Sequence, residues 1–159
     1  MTDYRKMLDL LVSGEVRFII VGGAAATAHG SARLTQDLDI VYSRSSENIK
    51  RLVEVLSPLE PRLRGAPDDL PFIWDVETVT RGLNFTLSTS AGWLDLFGEI
   101  PFGGSYEQML ADSVDVNIFG NKCLCLGLRR LIEIKRATAR PKDLEVIAEL
   151  QVIVEEQAK

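Results

Sequence analysis

The strongest constraint on this chain is a buried-strand run that stops at two glycines. Val16 to Gly23, VRFIIVGG, is apolar apart from Arg17 and rich in β-branched residues, which fits a strand covered on both faces. The small-residue stretch AAATAHG follows and reads as a short helix lying close on the sheet, ended by Gly30. Asp37 to Tyr42, DLDIVY, reads as a second strand. The first third of the chain therefore commits to a sheet with a tightly packed helix beside it.

The other segments extend that plan. Tyr4, Met7, Leu8 and Leu11 share one face of a helix over Asp3 to Val12, stopped by Gly14. Ser45 or Ser46 caps a helix reaching Leu56, with Ile49, Leu52, Val53 and Leu56 as its apolar stripe. Pro58 to Pro71 carries four prolines and mixed charges and reads as a surface loop or insertion. LNFTLST and WLDLFGEI form a strand pair joined around Gly92, and GSYEQMLADS suits a short helix. VDVNIFGNKCLCL reads as a hairpin turning at Gly120-Asn121, and everything from Gly127 is helical, broken at Pro141. The expected class is α/β (α+β): a mixed β-sheet flanked by helices, with a short helical C-terminus. Residues 1–126 form the core and 127–159 a helical segment packed on it.

Composition narrows the function classes. A chain of 159 residues with 46% hydrophobic and 26% charged residues can bury a real core and is not of the disordered type. A net charge of −5 argues against sequence-blind adhesion to nucleic acid or anionic membrane, though not against a local basic cleft. Cys123 and Cys125 stand too close for an unstrained disulfide and lack the spacing of a zinc site. With no leader-like segment and no run long enough to span a bilayer, the expected location is cytoplasmic.

The chemistry concentrates in Val21 to Ile40. Asp37 and Asp39 lie two apart on a strand, so both carboxylates project from one face. Two such neighbours repel, and ionising both calls for a cation. Mg²⁺ takes one or two carboxylates and completes its octahedron with phosphate oxygens and water. Gly22-Gly23, at a strand end that opens a helix, lets a phosphate approach the backbone. Arg33 and Thr35 stand just before the acids, within reach of phosphate oxygens. Asp95, alone among apolar neighbours in WLDLF, is the candidate third acid for two-metal work. Lys135 shares a helical face with Leu128, Leu131 and Ile132, so it either snorkels outward or reaches a triphosphate. Each signal also has a bland reading. A lone Asp-x-Asp often caps a helix or decorates an exposed strand, the double glycine is often only a tight turn, and His29 is better read as packed or hydrogen-bonded near a helix end than as a base.

Taken together, Gly-Gly at a strand end, then HGSARLTQDLDIVY, then LDLF resemble the nucleotidyltransferase superfamily of DNA-polymerase-β-like fold. The resemblance is strongest to its small prokaryotic branch, which includes AbiEii-type toxin nucleotidyltransferases. It runs from about Phe18 to Phe97, with a weaker echo in LIEIKRATARPKDLEVIAEL. It implies transfer of a nucleoside monophosphate from an NTP to an acceptor hydroxyl with release of pyrophosphate, using two Mg²⁺ ions. Asp37 and Asp39 match the paired metal ligands, Asp95 the third acid, and Gly22 and Gly23 the phosphate-holding turn. Many active members carry serine at the second turn position, where this chain has Gly23. The acceptor implied is tRNA, a protein or a small molecule, and a toxin-type enzyme implies an antitoxin partner. A second expectation is a catalytically degenerate nucleotide-binding or toxin–antitoxin interaction module.

Overall fold

In the computed structural model, which describes residues 2–30, 35–67, 69–138 and 141–158 (the side chains of 141–143 excepted), the two apolar strands lie side by side at the centre of the sheet. The first, β1 (Phe18–Val21), runs antiparallel to β2 (Asp37–Tyr42), with Val21 opposite Asp39. The sheet extends outward on both sides of this pair. On one side β2 runs parallel to β5 (Gly92–Phe97), β5 antiparallel to β4 (Asn84–Thr89), and β4 antiparallel to the edge strand β3 (Arg62–Leu63). On the other, β1 runs parallel to β9 (Asn121–Leu126), which pairs with β8 (Ser113–Ile118). The mixed sheet thus has the order β3-β4-β5-β2-β1-β9-β8.

Helices cover it where their sequences demand. In α1 (Tyr4–Ser13), Asp3 caps the first turn by accepting from the Lys6 N–H at 3.0 Å, and Met7, Leu8 and Leu11 are buried. Helix α2 (Gly22–Ala28) is nearly all alanine and glycine, so it packs with Ala24, Ala25 and Ala26 buried. Helix α3 (Ser46–Leu56) starts at Ser45, whose hydroxyl accepts from the Asn48 N–H. Val53, expected on its buried stripe, is only half-buried, and Asn48 takes that place instead. The Asn48 amide donates to the Arg17 and Ser43 carbonyls at 3.1 and 2.8 Å and accepts from the Arg17 N–H at 2.7 Å. A buried amide with all these partners costs little and ties together the outer ends of β1 and β2.

Three local expectations need correction. Pro58 to Pro71 is not simply a surface loop: Leu59 is buried, and Arg62–Leu63 adds strand β3 to the sheet edge, the one sheet position that tolerates nearby proline. WLDLFGEI is not one strand. It breaks at Gly98, whose N–H donates to the Leu83 carbonyl at 3.0 Å, and β6 (Glu99–Ile100) leaves to pair with β7 (Gly104–Ser105). The hairpin turns one residue earlier than expected, at Phe119-Gly120, where both residues have positive φ as a type I′ turn requires. Two short helices, α4 (Val76–Arg81) and α5 (Tyr106–Met109), fill the connections, α5 behind a Ser105–Gln108 capping box.

Helices α6 (Leu128–Thr138) and α7 (Pro141–Gln157) close the chain. Leu128, Leu131, Ile132, Ile147 and Leu150 join the same apolar core as the sheet. Proline opens α7 at the position where its missing N–H costs nothing. Among the described residues, no helix is long and apolar enough to cross a membrane.

Candidate active site

The register of the sheet sets the site. Side chains two apart on a strand share a face, and directly paired residues share that face across strands. Asp39 pairs with Asp95 across the parallel β2–β5 ladder, Asp95 pairs with Thr86 on β4, and the Arg64 N–H reaches the Thr86 carbonyl at 2.9 Å. One row therefore carries Arg64, Thr86, Asp95 and Asp39. Asp37 and its partner Trp93 form the next row on the same face. Asp37 and Asp39 on β2 and Asp95 on β5, 56 positions beyond Asp39, bring carboxylate oxygens within 4.8 Å of one another.

Three carboxylates this close strain against each other, and they do so unequally. Burial first, then the charge and hydrogen bond of Asp95 and the charge of Asp37, push Asp39 up to about 8; the Gly23 N–H works in the opposite sense. Asp37 is raised as well, mainly by burial and then by Asp95, with Arg64 opposing. Asp39 Oδ1 is sealed from solvent with no hydrogen-bond partner among the described residues. An orphaned buried carboxylate oxygen beside two further acids is what a hard divalent cation satisfies, and an all-oxygen donor set suits Mg²⁺, Ca²⁺ or Mn²⁺ alike. The residues present therefore fit a metal.

The glycine turn is shaped around the same acid. Gly22 has φ +62°, and a Cβ there would stand 2.3 Å from Asp39 Oδ2. Only glycine lets β1 turn into α2 against that carboxylate. At Gly23 a Cβ would meet Thr35 Oγ1 at 3.0 Å and Thr35 Cβ at 3.2 Å, so the space a serine would use belongs to Thr35. Thr35 donates to the Asp37 carbonyl at 3.2 Å, and its own carbonyl accepts from the Tyr4 hydroxyl at 2.6 Å. Thr2 further pins the strand entrances: its hydroxyl donates to the Gln36 carbonyl and accepts from the Trp93 N–H at 3.2 Å.

The structure brings Gly22, Gly23, Thr35, Asp37, Asp39 and Asp95 together, and Lys135 with them. A cleft of about 190 Å³ beside the acids is lined by Gly22, Asp39, Phe97, Ile134, Lys135 and Thr138. Arg33 lies outside the described residues. His29 sits at the end of α2 with Nε2 2.8 Å from the Leu126 carbonyl, in the packing role expected of it. Cys123 and Cys125 are buried free thiols on β9.

Sequence reasoning missed Arg64. Its guanidinium holds Asp95 Oδ1 at 2.7 Å through Nη2, stands 3.8 Å from Asp37 Oδ2, and stacks 4.5 Å from the Trp93 ring centroid. The signal was present as Arg62 and Arg64 two apart in PRLRG, but the surrounding prolines disguised a strand as a loop.

No family model matches the chain, and no curated protein does. Solved structures do. The chain is similar to the lincosamide antibiotic adenylyltransferase LnuA, solved with lincomycin bound, at TM-score 0.64 and 17% identity over 96% of this chain and 98% of that one. It is similar to ANT(2")-Ia in complex with adenylyl-2"-tobramycin at TM-score 0.53 and 16% identity, over 93% of this chain and 90% of that one. A Thermotoga maritima protein, TM1012, assigned as a nucleotidyltransferase, matches at TM-score 0.53 and 15% identity over 96% of this chain and 90% of that one. At these identities the likeness is one of architecture, and the architecture of this chain is the nucleotidyltransferase fold.

Proposed function

We propose that the protein is a metal-dependent nucleotidyltransferase that moves a nucleoside monophosphate from an NTP to a hydroxyl of a small molecule. The observation that carries this reading is the convergence of Asp37, Asp39 and Asp95 at one point of this fold, with one buried carboxylate oxygen of Asp39 unpartnered among the described residues. Asp37 and Asp39 would hold Mg²⁺. Bound there, the ion offsets the charge of the triphosphate and of the departing pyrophosphate. Gly22 and Gly23 leave the backbone open beside Asp39 for phosphate oxygens, while Thr35, Arg33 and Lys135 are the side chains assigned to the nucleotide. Asp95 orients the acceptor hydroxyl and takes its proton as the oxygen attacks the α-phosphorus. The new O–P bond forms as the bond to the β-phosphate breaks, and pyrophosphate leaves. Residues 1–126 carry this chemistry, and 127–159 contribute Lys135 from a helical segment packed on it. We place the protein in the cytoplasm, where NTPs are supplied.

A small-molecule acceptor is favoured over tRNA or protein because two similar structures hold lincomycin and an adenylylated tobramycin. The acidic balance of the chain also disfavours a large RNA footprint. The toxin-type reading with an antitoxin partner rests on the sequence resemblance alone. A nucleotide-binding module without turnover is the second reading, and the ion pair between Arg64 and Asp95 is what favours it.

Asp37→Ala and Asp39→Ala test the assignment. Each should abolish label transfer from α-labelled NTP while the far-ultraviolet circular dichroism stays that of the wild type. Transfer retained in either folded variant refutes the metal-ligand roles.

A further inference from the structure

The two tryptophans of the chain stand in opposite situations. Trp74 packs against the apolar core, and its Nε1 donates to the Val53 carbonyl at 3.0 Å. Trp93 takes no part in that core among the described residues and is 40% exposed, although its strand lies inside the sheet. Folding alone gives an interior strand no reason to hold so large an apolar ring in water. The ring is nevertheless fixed. The Arg64 guanidinium lies 4.5 Å from its centroid, pairs with Asp95 Oδ1 at 2.7 Å and donates to the Leu87 carbonyl at 2.7 Å. One anchored guanidinium therefore sets the ring and the Asp95 carboxylate relative to each other.

The surroundings of the ring point to its use. Trp93 and Asp95 are two apart on β5, so they project from one face about 7 Å apart. Their partners on β4 are Ser88 and Thr86, which add a half-buried and an exposed hydroxyl to that face. The glycine turn lies the other way: Gly22 follows β1, and β2 separates β1 from β5. The phosphate-holding turn and the Trp93 ring thus flank the acids from opposite sides. We propose that Trp93 is the platform on which the acceptor lies with its hydroxyl turned to Asp95, and that the acceptor is a saturated ring bearing several hydroxyls, a sugar or cyclitol. Such a ring offers C–H groups on its faces to an indole and hydroxyls on its rim to Ser88 and Thr86. The inference rests on the nucleotidyl-transfer reading and adds to it the residue that selects the acceptor.

Separating acceptor affinity from nucleotide affinity tests the proposal. The wild-type chain, Trp93→Ala, Trp93→Leu and Trp93→Phe are each given Mg²⁺, the four α-labelled NTPs and the small-molecule fraction of a cell extract over a series of dilutions, and label transfer is followed. Trp93→Ala and Trp93→Leu should need about tenfold more of the fraction to reach half the maximal rate, yet reach the wild-type rate at saturation. Trp93→Phe, which keeps a ring, should stay close to the wild type. Equilibrium dialysis against Mn²⁺ and α,β-methylene NTP analogues should give all four chains the same nucleotide affinity, which also shows that the variants are folded. The labelled product, identified by mass spectrometry and nuclear magnetic resonance, should carry a polyhydroxylated ring. Coincident dilution curves for the wild type and Trp93→Leu would overturn the proposal, and this result does not depend on Trp93→Ala folding. A loss of nucleotide affinity in the folded variants would also overturn it, by giving the ring to the nucleobase, as would an open-chain acceptor in the product. No transfer by the wild type would remove the nucleotidyl-transfer reading itself, a different result from transfer that ignores the ring.

Discussion

Asp39→Asn offers the sharpest physical test of how the acid cluster is held. Asparagine keeps the shape of the side chain and removes its charge. In the metal-free protein the Asp39 carboxyl is pushed up to about 8 from an ordinary value of 3.8. Between those values the folded chain keeps a proton that the unfolded chain has lost, so folding takes up a proton. Stability must therefore fall as pH rises through this window, at about 1.4 kcal/mol per pH unit for one group. From pH 5 to pH 7.5 that amounts to about 3 kcal/mol, an upper bound because the cluster titrates as a unit. For a chain of this size it corresponds to about 6 to 12 °C in Tm. Asp39→Asn lacks the proton, so the stability gap between variant and wild type should widen in the variant's favour by up to that amount. The assay is urea unfolding in EDTA at pH 5, 6, 7 and 7.5, comparing the two proteins at each pH. Mg²⁺ at pH 7.5 should restore most of the loss in the wild type and little in the variant. Parallel stability–pH curves for the two chains would refute the reasoning.

Two further substitutions probe the glycine turn. Gly22→Ala puts a methyl 2.3 Å from Asp39 Oδ2 at φ +62°, so we expect a loss of about 2 kcal/mol or more and disappearance of the Mg²⁺-induced rise in Tm. A variant of wild-type stability that keeps the Mg²⁺ response would show that the close approach is not needed. Gly23→Ser should push Thr35 from its place and lower Tm, and Thr35→Ala in the same chain should recover part of that loss. Strict additivity of the two changes in denaturant unfolding would contradict the shared space.

What the sequence made legible was whatever period and punctuation encode. The strands β1 and β2, the cap at Ser45, and the same-face placement of Asp37 and Asp39 all follow from local chemistry. Asp95 was legible because a lone acid between leucines on a strand demands a partner. What stayed hidden depends on pairing between distant segments. Two residues of β3 carry no periodic signal, and their strand character comes only from lying against Ser88 and Leu87. Arg64 follows that pairing and so was hidden with it. Asn48 was passed over because a polar residue on a buried stripe reads as exposed until its three backbone partners are in view. Gly23 reads in sequence as a missing serine, and only the tertiary contact with Thr35 explains why the space is filled.

The acid cluster, on the proposed reading, transfers a nucleotidyl group through the α-phosphorus of an NTP. The most direct measurement incubates the purified chain and Mg²⁺ with an extract of small molecules, RNA and protein and either α-labelled or γ-labelled NTPs, all four bases in parallel. Nucleotidyl transfer puts label on an acceptor from the α position only, in the small-molecule fraction, with pyrophosphate released in equal amount. Label arriving from the γ position would mean phosphoryl rather than nucleotidyl transfer, and would contradict it.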